Sequence, residues 1–302
     1  MMKKAMILMT VLALSLTAGA QTTTKSKDLV AFDNIEISSD FEVTYHQADF
    51  YRVDWTFDTI LNDVITVHVS GNTLHVSMNK KGMSSELKKT YKGRNAPKPI
   101  LKVSIYAPYF SNLTLSGNAV FDAMGNRIST GIFQLTLTDK ARVSNLSVEA
   151  DRATISMDKD GKANLTVNAG RIDIQASKSA ALDLIQNSGA LNISTSGSAS
   201  VTVSGQTEDI VTVCQNSSKI SVSGNADTLR HDGKGSCEVD MLNVPLISAE
   251  TTMANSSKLY LSVTDSLKVD LKGGCSVYFS GDPVISVVNI ASSTLMRYSG
   301  KK

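Results

Sequence analysis

Proline is scarce in this 302-residue chain, with five copies, and tryptophan occurs once, as Trp55. Ser, Thr, Asn, Gly and Val are abundant instead, a composition that favours short strands joined by tight turns over helices. An excess of one charge sign is lacking too: 30 Lys and Arg stand against 28 Asp and Glu. Two of those lysines, Lys3 and Lys4, belong to the leader described next, so the remainder is close to neutral. A neutral chain has no overall pull towards a polyanion, and no nucleic-acid partner is expected.

Long apolar runs are missing apart from one, Ala5 to Leu16, which is shorter than the roughly 20 residues that span a bilayer. It follows Lys3 and Lys4 and precedes Ala18-Gly19-Ala20, the positive, apolar and small-residue order of a signal peptide over residues 1–20. Cleavage there leaves Gln21 first. The mature chain is then expected to carry no transmembrane segment and to be exported, to the periplasm, the outer cell surface or the medium. No cysteine follows the cleavage site, so no lipid attachment is expected. Three cysteines lie further on, and an odd number cannot all pair within one chain.

What the sequence does hold is a repeat. From Ala119 a small residue, any residue and an apolar residue recur: Ala119-x-Phe121, Ala141-x-Val143, Ala163-x-Leu165, Ala180-x-Leu182, Ala199-x-Val201, Ser218-x-Ile220, Cys237-x-Val239, Ser257-x-Leu259 and Cys275-x-Val277. The spacing averages about 20 residues. Most units add a second apolar residue two places on, as at Val167, Leu184, Val203 and Phe279, which is the alternation of a strand with one buried face. A further alternating strand precedes each turn, for example Leu113 and Leu115, Ile172 and Ile174, or Val211 and Val213. The turns are read at Ser116-Gly117-Asn118, Asp160-Gly161-Lys162, Thr195-Ser196-Gly197, Asn216-Ser217 and Asn255-Ser256, rich in residues that tolerate left-handed backbone. A unit this short cannot bury its apolar face alone, whereas successive units coiled in parallel stack like residues about 4.8 Å apart. The expected fold is therefore all-β, a single-stranded parallel β-helix over residues 113–302. Its last rung is marked by Arg297, a charge at an inward position that blunts the edge.

Residues 21–112 differ in texture and are expected to form an N-terminal cap. Phe32 to Tyr45 alternates, and Val64 to Met78 reads as a β-hairpin turning at Gly71-Asn72. A lysine-rich connection without secondary structure is expected from Lys80 to Lys98.

Several of these segments carry a family resemblance: Phe32-Asp-Asn-Ile-Glu-Ile-Ser-Ser-Asp-Phe-Glu-Val, Tyr51-Arg-Val-Asp, Asn72-Thr-Leu-His-Val, Leu101-Lys-Val-Ser-Ile-Tyr-Ala-Pro and Leu113-Thr-Leu-Ser-Gly-Asn-Ala. Together they resemble the putative auto-transporter adhesin head GIN domain family across nearly all of the mature chain. The resemblance implies a right-handed β-helix and an envelope location in Gram-negative bacteria, with no established activity.

Candidate chemistry is sparse. Cys237 and Cys275 fall two rungs apart in the small inward ladder, about 10 Å and too far for a disulfide, and Cys214 lies in another column. All three are expected as buried free thiols. His68 and His75 face each other across the hairpin, but no third ligand is in view, so no metal or other cofactor is expected. Asp122, Asp183 and Asp240 share an outward column at three-rung intervals, about 14 Å, wider than the carboxylate pair of a glycosidase. No catalytic residue is assigned.

Binding is the reading that remains. One outward column is read as Arg142, Asn164, Ser200, Lys219, Glu238, Lys258 and Ser276, and the next as Ser144, Thr166, Thr202, Ser221, Asp240, Tyr260 and Tyr278. Tyr260 and Tyr278, stacked in adjacent rungs beside Lys258, form the candidate ligand site, with a cell-surface or extracellular glycan as partner. The lysines at 80–98 are a second candidate, for anionic polysaccharide or lipid headgroups. The function expected is an exported, non-enzymatic, adhesin-like binding module. A carbohydrate-active β-helix enzyme, a polysaccharide lyase or hydrolase, is the alternative.

Overall fold

A computed structural model describes residues 21–94 and 96–300, so the signal-peptide reading of residues 1–20 lies outside the described residues. The fold is a β-helix of about ten turns. One coil can be followed along the strand Arg142–Met157. Its first residues pair in parallel with Val120–Asp122, its middle with 127–130 and its end with 132–137, so each coil contributes to three walls.

Side chains of like kind stack between coils, as the repeat requires. On the first wall Leu113, Leu135, Ile155, Ile174 and Ile193 lie in one inward column. On the second, Leu182, Val201, Ile220, Val239, Leu259 and Val277 lie in another. All of these are buried. Each such side chain stabilises the fold by about 1.5–3 kcal/mol relative to its exposed state, which is why the columns, rather than any single contact, hold the coil together.

Between the first and second walls the chain turns through one left-handed residue per coil: Gly117, Asp139, Lys159, Lys178, Gly197, Asn216 and Gly235. At Gly197 a Cβ would lie 2.9 Å from the backbone of Lys178 in the preceding coil, so glycine is required by close approach as well as by φ.

Three readings of the repeat are corrected here. The left-handed residue of the third of these turns is Lys159, and Gly161 takes the small inward position, because Arg142 pairs with Lys162. Ala163 therefore stacks with Val143 and Leu182, and Leu165, not Val167, is the partner of Leu184. Lys162 and Asn164 consequently replace Asn164 and Thr166 in the two outward columns. Finally, Val211 and Val213 face outward, and Ile210, Thr212 and Cys214 point in. A one-residue slip exchanges every side chain between faces, and pairing with Leu191 and Ile193 decides which set is buried.

The N-terminal region is built from β1 (Thr22–Asp28), β2 (Asn34–Ile37), β3 (Glu42–Gln47), β4 (Arg52–Asp58), β5 (Ile65–Ser70), β6 (Thr73–Met78), α1 (Ser85–Thr90), β7 (Leu101–Ala107), β8 (Asn112–Leu115) and β9 (Val120–Asp122). Parallel pairing of β2 with β8 and of β3 with β9 carries the coil back to Asn34. Beyond that rung both walls are prolonged: β6 joins β2 and folds back as β5, while β7 joins β3 and is followed by antiparallel β4 and β1. The β5–β6 hairpin turns at Gly71 and Asn72, both left-handed, as the sequence indicates.

The lysine-rich connection is not structureless, and that expectation is corrected. Ser84 caps α1 by accepting a hydrogen bond from the Leu87 amide. Met83, Leu87 and Tyr91, four residues apart, turn one face onto the core. The Tyr91 hydroxyl and the Ile100 amide both donate to buried Asp58, at 2.7 and 3.2 Å. Lys80 and Lys88 line a groove with Met83 and Tyr91, Lys80 pairs with Asp40, and Lys88 donates to the Lys81 carbonyl.

Candidate ligand-binding surfaces

The outward column of the second wall runs Asn164, Asp183, Thr202, Ser221, Asp240, Tyr260 and Tyr278, after Asp122 and Ser144 in the earlier coils. Tyr260 and Tyr278 do stack in adjacent rungs, with ring centroids 4.9 Å apart and planes at 11°. Their facing surfaces are closed to any ligand, so the pair offers its outer edges and hydroxyls rather than an open platform. Tyr298 packs edge-on to Tyr260 at 6.2 Å. Burial, with Glu238 and Tyr278 nearby, pushes the Tyr260 phenol up, so it stays protonated and able to donate. Lys258 is exposed in the adjoining column, between Glu238 and Ser276. Tyr298 was not legible in the repeat because it follows the point where the small-x-apolar pattern lapses.

A second aromatic group lies at the capped end. His46 and Tyr106 stack at 4.9 Å, and Phe50 covers the same tyrosine at 5.9 Å. Alternation along β3 and β7 places His46 and Tyr106 outward, but only the β3–β7 pairing shows that they meet. Two shallow grooves carry polar side chains. One of about 290 Å³ is lined by Thr136, Ser156, Gln175 and Ser194, and one of about 500 Å³ by Asp209, Arg230, Glu250 and Lys268.

His68 and His75 are paired across the hairpin with rings 5.1 Å apart. Glu36 on β2 reaches the His75 Nδ1 at 3.2 Å. Among the described residues no group of three His, Cys, Asp or Glu is arranged to hold a metal ion. The three cysteines are buried and unpaired. Cys237 Sγ donates to the Cys214 carbonyl at 3.0 Å and Cys275 Sγ to the Lys272 carbonyl at 3.2 Å.

Carboxylates give no acid–base pair. Asp122, Asp183 and Asp240 occupy one column at three-coil intervals. Lys178 and Ser177 hold Asp158 down at about 2, Lys159 lowers Asp139, and Lys268 lowers Glu250. These are ionised partners in ion pairs rather than acids poised to donate.

The core does hold polar residues that sequence reading did not single out. Thr212, His231 and Thr251 stack in one inward column, continuous with Ile193 on one side and Val269 on the other. Thr212 Oγ1 lies 2.8 Å from His231 Nδ1, and His231 Nε2 and Thr251 Oγ1 have no partner. Burial pushes the imidazole down to about 4, so it is neutral. Gly233 makes room for the ring, since a Cβ there would lie 2.7 Å from His231 Nε2.

Comparison with known proteins adds the following. Residues 31–213, and again 173–283, match the family described as putative auto-transporter adhesin, head GIN domain. A crystal structure of a putative adhesin from Parabacteroides distasonis is similar with a TM-score of 0.55 at 17% identity, covering 92% of this chain and 98% of that one. A putative adhesin from Parabacteroides merdae aligns with a TM-score of 0.44 at 15% identity, over 92% of this chain and 97% of that one. A structure titled putative lipid binding protein, also from P. distasonis, gives 0.45 at 18% identity over the same shares. No curated protein matches the chain.

Proposed function

We propose that this chain, which belongs to the family of putative auto-transporter adhesin head GIN domains, is an exported, non-enzymatic envelope module that binds an extended glycan along the outer surface of its second wall. The observation that carries the reading is the outward column ending in Asp240, Tyr260 and Tyr278. It repeats a polar side chain at each strand spacing of about 4.8 Å and ends in an aromatic group beside a free cation, a rigid match to a polymer that also repeats. Tyr260, Tyr278 and Lys258 are the proposed contacts, with Tyr298 added by its packing on Tyr260. The rings' edges pack on the apolar faces of sugars while phenol hydroxyls and the Lys258 ammonium take their polar groups. Because Tyr260 and Tyr278 are only partly buried, replacing them leaves the inward columns intact.

The test is a glycan-array screen of residues 21–302, read for both retention and breakdown, with the Tyr260→Ser/Tyr278→Ser variant in parallel. Retention by the parent, loss of at least tenfold in the variant and unchanged circular dichroism are expected. Equal retention by both proteins refutes the site, and breakdown of the bound sugar refutes the non-enzymatic reading.

A further inference from the structure

The two ends of the coil are finished differently. At the N-terminal end α1 and the antiparallel extensions cover the core, with Leu61 fully buried beneath them. At the C-terminal end the second wall is blunted: Arg297 lies over the Phe279 ring at 5.7 Å, pairs with Asp282 and donates to the Gly281 carbonyl at 3.0 Å. The first wall has no such device. Its last strand, Val284–Ala291, pairs only with the strand Lys258–Lys272 beneath it, and none of its residues is buried. Ile285, Val287 and Ile290 continue the inward columns of Leu267, Val269 and Leu271, yet they are exposed, and no coil among the described residues covers them. Val284 is 77% exposed and Val288 59%.

We infer that this end is a self-association surface, at which two copies of the chain join end to end about a two-fold axis by antiparallel pairing of Val284–Ala291 with its counterpart. Three observations favour a second copy. No charged residue lies between Asp282 and Arg297, and those two neutralise each other, so nothing repels an identical surface. The edge strand is preceded by Pro283 and has one bulged residue, Val288, but Val284–Ala291 carries none of the charges that ordinarily prevent such pairing. The exposed apolar side chains of this end amount to about 500 Å² per copy, which caps their burial in a two-fold contact at about 1,000 Å², the size at which specific interfaces begin. Backbone groups of the free edge gain partners in addition. The free edges at the N-terminal end are β1, which carries Lys25, Lys27 and Asp28, and β5, so like-with-like pairing of the uncharged strand Val284–Ala291 gives a closed, isologous dimer. The inference is independent of any ligand on the second wall.

Sedimentation velocity of residues 21–302, from low micromolar to several hundred micromolar, tests it. A monomer–dimer equilibrium is expected, with amides of 284–291 becoming protected from hydrogen exchange as concentration rises. Val288→Lys, near the middle of the strand, brings two like charges together across the axis and should leave a monomer with an unchanged circular dichroism spectrum. Val287→Lys, which lies opposite residue 288 of the second copy, serves the same purpose should the first variant misfold. A chain that stays monomeric at the highest concentration overturns the inference and leaves the apolar end to a different partner. A dimer that persists in both variants, without protection at 284–291, overturns it as well.

Discussion

Acidifying the protein from about pH 7.5 to about pH 5 is expected to weaken the fold through His231. The ring is 2% exposed, and burial pushes its pKa down to about 4 from the usual 6.5. Below pH 6.5 the unfolded chain takes up a proton that the folded chain refuses until about pH 4. The stability is therefore complete above pH 6.5 and is lost as pH falls through that window, by about 2 kcal/mol at pH 5 and about 3 kcal/mol in full. Urea unfolding followed by circular dichroism at both pH values measures the loss. The informative comparison is Thr212→Val/His231→Leu. Removing His231 alone would strand the Thr212 hydroxyl, whereas replacing both partners with apolar groups of similar size continues the column from Ile193. The double variant should lose about 2 kcal/mol less than the parent on acidification. An unchanged pH dependence in that variant would refute the assignment of the effect to the buried imidazole.

Two further outcomes are expected. Gly224→Ala should destabilise by about 3 kcal/mol or more, because a Cβ there would fall 1.8 Å from the Gly205 carbonyl oxygen of the preceding coil and φ is +122°; a thermal melt within a degree of the parent would contradict the close approach. Cys214, Cys237 and Cys275 should resist a thiol reagent in the native protein and all react on unfolding, since each is fully or almost fully buried; rapid native labelling would show that the columns open.

The coil itself was legible because its signal is local and redundant: a small residue followed two places on by an apolar one repeats nine times, and errors in one unit do not spread. The errors that occurred have physical causes. In the unit after Met157 the small position is Gly161 and the apolar position two places on is only Ala163, so Ala163 passes for the small residue and Gly161 for a turn residue. Thr212 and His231 hide their strands because their columns are polar where the pattern predicts apolar residues. At the candidate site, the alternation of Tyr260 and Tyr278 gave their column and their adjacency, whereas ring orientation depends on side-chain packing that periodicity does not encode. The cap was least legible: β2 and β3 form a rung with strands some 78 residues later, and no local period links them.

That separation also sets an order in time. Coils such as those joined by Ser111 and Thr130 close loops of 19 residues, whereas Asn34 must meet Asn112 across 78. Closing the longer loop costs about 1 kcal/mol more in chain entropy, and the segment between must first form its own hairpin and helix. A chain made from its N-terminus can pair β2 with β6 and β3 with β7 once residue 107 has appeared, but their second edges stay open until residue 122. The earliest strands of the coil thus stand half-paired, and the rungs made after them close the side left open.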